Sequence, residues 1–358
     1  DETNVACRRW LMKPGTLGPN PFGETGQRAM MHPGVDNPNA IRPTGPVDPE
    51  VAVLSAQTAA GRPLALLANY SMHYVGGPAV SSDYFGMFCE EIAQLIQTPP
   101  GDHPFVAMLS NGTSGDAWCQ DYAKPKRRFD RRSVARDVAQ AAFAAYQTIE
   151  YRSWAPLVMK ERVLELPVQM PTEEDAVKAH AIRERAEQEG VEAVGVLPWV
   201  YAGETLALRE MPPTRALKLP ALRIGDLGVT AIPNEVFSST GLTIKESSPL
   251  QPTFNISLAN GAEGYIPPPD QHALGGYTTW RARSSCLEVQ AEPMITEAVL
   301  ELLKEVASVD VASEPQAASE KVSSPLSAEE LLEFFHLHDD FRIELVAAPD
   351  QSSKRSEA

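Results

Sequence analysis

Residues 65–86, ALLANYSMHYVGGPAVSSDYFG, run apolar for a short stretch, break at His73 and a glycine-rich turn, and resume at Asp83 as an amphipathic segment. A bounded apolar run of this length suits a buried strand. From Asp83 onward, Phe85, Phe88, Cys89, Ile92, Leu95 and Ile96 recur at helical spacing until TPPG ends the pattern. A buried strand that feeds a one-faced helix must lay that helix back on its own sheet, which points to an α/β arrangement.

The same alternation continues along the chain. Strands are expected at 51–56, 63–70, 105–110, 161–168, 227–233 and 253–258, and helices at 85–96 and 133–149. Residues 172–189 open at Thr172 with acids in the first turn and stop at Gly190, and their mostly charged character predicts an exposed helical insertion. Ile295, Val299, Leu302, Leu303 and Val306 predict a last amphipathic helix. The expected fold is therefore α/β, a mixed and partly parallel sheet flanked by helices, with its site at the carboxyl ends of the strands.

With 31 Lys plus Arg against 47 Asp plus Glu, the net charge of −16 disfavours a phosphate backbone as partner. Cys7, Cys89, Cys119 and Cys286 form no CxxC pair, which removes zinc-ribbon and thioredoxin-like motifs and leaves their pairing open. No apolar run approaches the roughly 18 residues of a membrane span, and DETNVACRRW lacks the features of a signal peptide. The basic run 124–132 reads as a solvated loop and helix start, with peripheral contact to anionic lipid as its functional alternative. Residues 307–325 have linker composition, and 326–358 read as the opening of a second domain after a first domain over 1–306.

Polar groups follow four of the strands: His73 and Asp83, Asn111 and Asp116, Glu235, and Tyr265. One imidazole, carboxylates and a phenol suit a divalent metal, zinc being usual where histidine takes part. Each motif also has a plain structural reading. Asp83 suits an N-cap, His73 a hydrogen-bonded core histidine, and NGTSGD a turn whose Ser114 lacks a nucleophile-elbow context. His32, in MMHPG, follows no expected strand and lies in proline-rich sequence, so it is not nominated.

In order, ANYSMHYVGG with SSDYFG, LSNGTSGD, AIPNEVFSSTG and NGAEGYIPPPDQHALGGYTTWRA resemble the neutral/alkaline ceramidase family in its bacterial ceramidase-like branch, over roughly residues 5–306. The resemblance implies zinc held by two histidines, a glutamate and a tyrosine, and hydrolysis of the amide of N-acylsphingosine. His73 matches the second histidine, Glu235 the glutamate and Tyr265 the tyrosine. The first histidine belongs to an HTHS-type motif absent from this sequence, so the chain is expected to lack the N-terminal third of the domain.

The family's SNGTSGD-like segment continues into Ser-Pro-Asn, whereas Trp118 stands here in the serine's place, a departure that bears on ceramide specificity. A metal-activated water then remains as nucleophile. Asp83 or Asp116 is expected to orient that water or an imidazole, and His272 to protonate the leaving amine. Asn111, Trp118 and Tyr277 are the expected pocket residues. The expected activity is a ceramidase-like amidohydrolase on a lipid-like or other small-molecule amide. The alternatives are a metal hydrolase with a more polar substrate, or a non-catalytic lipid- or glycan-binding module. The tail resembles the start of planctomycete-type dehydrogenase-like propeller modules, which implies a secreted or periplasmic multidomain setting.

Overall fold

A computed structural model of the chain describes residues 4–98 and 104–310. The first strands are short: β1 (Ala6–Cys7), β2 (Arg9–Met12), β3 (Ala29–Met31) and β4 (Ala40–Pro43), of which β3-β2-β4 form a small antiparallel sheet. Then come β5 (Val51–Gln57), β6 (Pro63–Tyr70), α1 (Asp83–Ile96), β7 (Val106–Asn111), β8 (Ala117–Trp118) and α2 (Arg131–Tyr146). β5 and β6 are an antiparallel pair, and β6 runs parallel to β7, from Ala65↔Val106 to Tyr70↔Asn111. A parallel pair needs a crossover, and α1 supplies it. Tyr84, Phe88 and Ile92 of α1 are buried in one core with Leu66, Ala68, Val134 and Val138. Asp130 starts α2 through a reciprocal capping box with Ser133.

The second half holds β9 (Leu157–Pro167), α3 (Glu173–Glu189), α4 (Val196–Arg209), β10 (Thr214–Ile224), β11 (Leu227–Ile232), β12 (Glu235–Val236), α5 (Ser238–Ser247), β13 (Thr253–Ser257), β14 (Tyr265–Ile266), α6 (Pro269–Leu274) and α7 (Ala291–Ser308). Here the sheet order is β13-β11-β10-β9, with β10 antiparallel to both neighbours and β11 parallel to β13 across α5. Ile295, Val299, Leu302, Leu303 and Val306 of α7 bury against Leu217, Leu219 and Ile232 in a second core. The stripe expected for the last helix is the stripe that packs.

The α/β class and the mixed, helix-flanked sheets agree with the sequence reading, but the expected strands divide between two sheets, β5-β6-β7 and β13-β11-β10-β9. They meet where β13 lies against β6 and β7, and the buried Asn69 donates to the Asn255 carbonyl at 2.9 Å. Two of the longer elements had no clear sequence signal. Pro220 interrupts the pattern of β10, and a mid-strand proline argues against a strand. α4 opens after Gly195 with Pro198 in its first turn and keeps several apolar residues exposed. Among the described residues all four cysteines are free, and no helix is long and apolar enough to cross a membrane. α7 carries helix to Ser308, and the tail expectations beyond residue 310 lie outside the described residues.

Candidate active site

Glu235 and Tyr265 face each other as the first pair of the parallel β12–β14 ladder, with their side chains close enough to share a hydrogen bond. They follow β11 and β13, the strands nearest the first sheet. The segment after β7 presses onto this ladder, since the Gly115 N–H donates to the Val236 carbonyl at 2.8 Å. A Cβ on Gly115 would stand 2.7 Å from the Glu235 carbonyl oxygen, so only glycine allows the approach.

Into this junction projects Arg8, from the turn between β1 and β2, only 4% exposed. Its Nη2 lies 3.1 Å from the Gly115 carbonyl, 3.4 Å from the Tyr265 hydroxyl and 3.7 Å from Glu235 Oε2. Its Nε is buried without a partner. Burial raises the Glu235 carboxyl above its usual range, against the pull of the Tyr265 hydrogen bond and Arg8. Burial likewise raises the Tyr265 phenol, which Arg8 opposes. His73 is lowered to about 4, first by burial and then by the Arg8 charge, and so is His32. Both imidazoles are therefore neutral at pH 7 and able to accept a proton or a metal.

Sequence reasoning missed Arg8 and passed over His32. His32 Nδ1 lies 2.6 Å from the Tyr122 hydroxyl and its ring stands edge-on to Trp118. The only available signals were the paired basic residues of CRRW and a histidine with no helical or strand neighbour pattern, neither of which points to a site. Tyr277, expected in the pocket, stacks edge-on to Tyr265 at 5.6 Å and is 43% exposed.

The other nominated residues act one step away. Asp83 is buried and accepts from the backbone N–H groups of Val75, Gly76 and Tyr84 at 2.8–2.9 Å, so its carboxylate grips the loop that carries His73. Asp116 accepts from the Ser238 N–H and hydroxyl at 2.8 and 2.9 Å, fixing the start of α5 just beyond Glu235. Trp118 donates its indole N–H to the Tyr74 carbonyl at 3.1 Å and walls the histidine loop. Asn111 accepts from the buried Ser114 hydroxyl at 3.1 Å, which leaves that serine engaged. His272 lines a separate cavity with Gln27 and Trp280, and the guanidinium that acts on it is Arg9. The structure does not bring His272 to the Arg8 group.

A carboxylate, a phenol and a neutral imidazole fit zinc in donor chemistry, and three protein donors with an open position are the pattern of catalytic zinc. Among the described residues no three His, Cys, Asp or Glu side chains form a metal-holding group, and the nominated set has only two of those types plus the phenol. Arg8 already places one positive charge beside the two oxygens.

No protein-family model and no curated protein matches the sequence. Among solved structures, the chain is similar to a neutral ceramidase from Pseudomonas aeruginosa, with a TM-score of 0.51 and 15% identity over 85% of this chain and 51% of that one. It is also similar to a ceramidase complexed with C2, with a TM-score of 0.51 and 14% identity over 76% of this chain and 51% of that one. The chain has a ceramidase-like fold and spans about half the length of these two structures.

Proposed function

We propose that this chain carries the hydrolytic site of a zinc-dependent amidohydrolase that cleaves the N-acyl bond of a lipid-like, sphingolipid-type substrate, with His73, Glu235 and Tyr265 holding the metal. The observation that carries this reading is the Glu235–Tyr265 pair set side by side by β12 and β14 under the Arg8 guanidinium. The ceramidase-like fold supports it. Bound there, zinc would supply a Lewis acid for the amide carbonyl and would acidify a water molecule.

The chain's own groups have separable tasks. Arg8 is a fixed, nearly buried cation beside the phenol and carboxylate oxygens, suited to negative charge that develops on a carbonyl oxygen. His73, neutral at pH 7, has a free lone pair for a metal or a proton. Trp118 offers no hydroxyl and Ser114 is buried and hydrogen-bonded to Asn111, so neither position supplies a nucleophile and water takes that role.

The test is release of fatty acid from N-acyl amphiphiles by the full-length protein, with metal content measured alongside. Glu235→Gln and His73→Ala are expected to lose both zinc and turnover. Arg8→Met is expected to keep zinc and lose about 10²–10³-fold in kcat, the usual effect of one oxyanion donor. A folded, zinc-loaded protein that hydrolyses no N-acyl amphiphile would overturn the proposal. So would a Ser114→Ala variant that keeps its zinc and loses all activity.

A further inference from the structure

A glutamate in the first turn of a helix ordinarily faces water and meets the helix dipole from outside. Glu292, the second residue of α7, is instead only 9% exposed. Its Oε1 accepts from the Thr240 hydroxyl of α5 at 2.6 Å and from the Thr296 hydroxyl at 3.2 Å. No donor among the described residues is set against Oε2. Both partners are neutral, so the carboxylate lacks a counter-charge. Burial raises its carboxyl above the usual range, and the nearby Asp270 pushes it the same way.

Glu292 and Asp270 line a cavity of about 640 Å³ bounded by α5, α6, α7 and the segment after β4. Asp116, itself fully enclosed, lines it too. Its Oδ1 takes the Ser238 donors, and its Oδ2 stands 3.4 Å from where a Cβ on Gly45 would lie. Glu297 adds a further carboxylate, and against these acids stands Lys304. Phe237, Pro268 and Leu300 give the cavity apolar faces. Apolar faces with a few placed polar groups, at this volume, suit a small organic molecule.

The excess of carboxylate selects a cation. A bare metal ion needs several oxygens on one point, and among the described residues no three His, Cys, Asp or Glu side chains converge so. The acids are instead spread over α6, α7 and the segment after β7, so a ligand must extend to reach them. Ser239 and Thr243 of α5 offer hydroxyls along the way. We propose that this cavity is a second binding site, for a hydroxylated organic ammonium ion of about amino-sugar size, whose ammonium group pairs with Glu292 Oε2. Of the groups described around Glu235 and Tyr265 only Asp116 lines it, so its occupancy and the proposed hydrolysis are separable.

The experiment is calorimetry on the full chain with glucosamine, glucose and Mg²⁺ as probes, slightly below pH 7 so that the amine is charged. Glucosamine is expected to bind at least about tenfold more tightly than glucose, the effect of one charge-assisted hydrogen bond. Glu292→Gln should abolish that difference by weakening glucosamine alone. Thr243→Phe, at the exposed rim, should block both sugars while leaving the buried carboxylates in place. Glu184→Gln, exposed on α3, should change neither. Glucosamine bound no more tightly than glucose overturns the proposal, as does binding that survives both Glu292→Gln and Thr243→Phe. An equal loss in Glu184→Gln would show a response to net charge alone and would also overturn it. So would displacement of glucosamine by Mg²⁺ at equal concentration, which would make the cavity a metal site. None of these outcomes depends on hydrolysis of an N-acyl substrate.

Discussion

Replacing Arg8 by methionine probes the junction where the candidate site is assembled. The guanidinium lies 3.7 Å from Glu235 Oε2, a separation worth about 4 kcal/mol of attraction at an effective dielectric of about 20. It also donates to the buried Gly115 carbonyl, a charged hydrogen bond of about 1.5–3 kcal/mol. Against these stands the cost of holding Arg8 itself out of water with its Nε unpartnered, which the methionine removes. The Glu235 side chain keeps 23% of its surface exposed, so water replaces part of the lost partner. The net loss should be about 2 kcal/mol, below the roughly 3–5 kcal/mol for breaking a fully buried pair. Urea unfolding followed by tryptophan fluorescence reads it as a lower midpoint at unchanged slope. Adding Glu235→Gln should restore about 1–2 kcal/mol, because the uncompensated carboxylate is then gone. Strictly additive effects of the two substitutions would show that Arg8 and Glu235 do not act on each other, and the electrostatic account of the site would fail.

Gly115→Ala should cost about 1–3 kcal/mol in the same assay, since its methyl meets the Glu235 carbonyl at 2.7 Å and only backbone can yield; a neutral effect would mean that the segment after β7 is not pressed onto β12. Asp83→Ala should free the Val75 and Gly76 amides, read as a large rise in their hydrogen-exchange rates, with Asp83→Asn intermediate. His272 is lowered to about 4 by burial and then by Arg9, against an ordinary value of 6.5. Its unfolded form therefore binds a proton that the folded form refuses, so its contribution is whole above pH 6.5 and is lost as pH falls toward 4. His272→Gln should lose less stability than wild type between pH 6.5 and 4, and identical pH profiles would contradict the shift.

How much of this was legible beforehand follows from the range of each interaction. β6 matches the expected strand 63–70, and α1 and α7 bury the stripes that the sequence displays, because hydrophobic periodicity is local and burial follows it. Glu235 and Tyr265 were nominated by resemblance, yet their pairing is a property of the β12–β14 ladder, which joins residues thirty positions apart. Arg8 and His32 carried no local signature, since a buried guanidinium is defined by the oxygens brought to it from Gly115, Glu235 and Tyr265. Asp116 was nominated from its place after a strand, and the contact that the structure gives it, with Ser238 at the start of α5, is set by where Ser238 lies.

The sequence by itself determined the elements, the class and the kinds of chemical group available, because these depend on spacing along the chain. Only the tertiary structure decided that the longer strands split between two sheets and that one arginine stands over the phenol and carboxylate. Those outcomes depend on which distant surfaces exclude water together, and no local pattern encodes that choice.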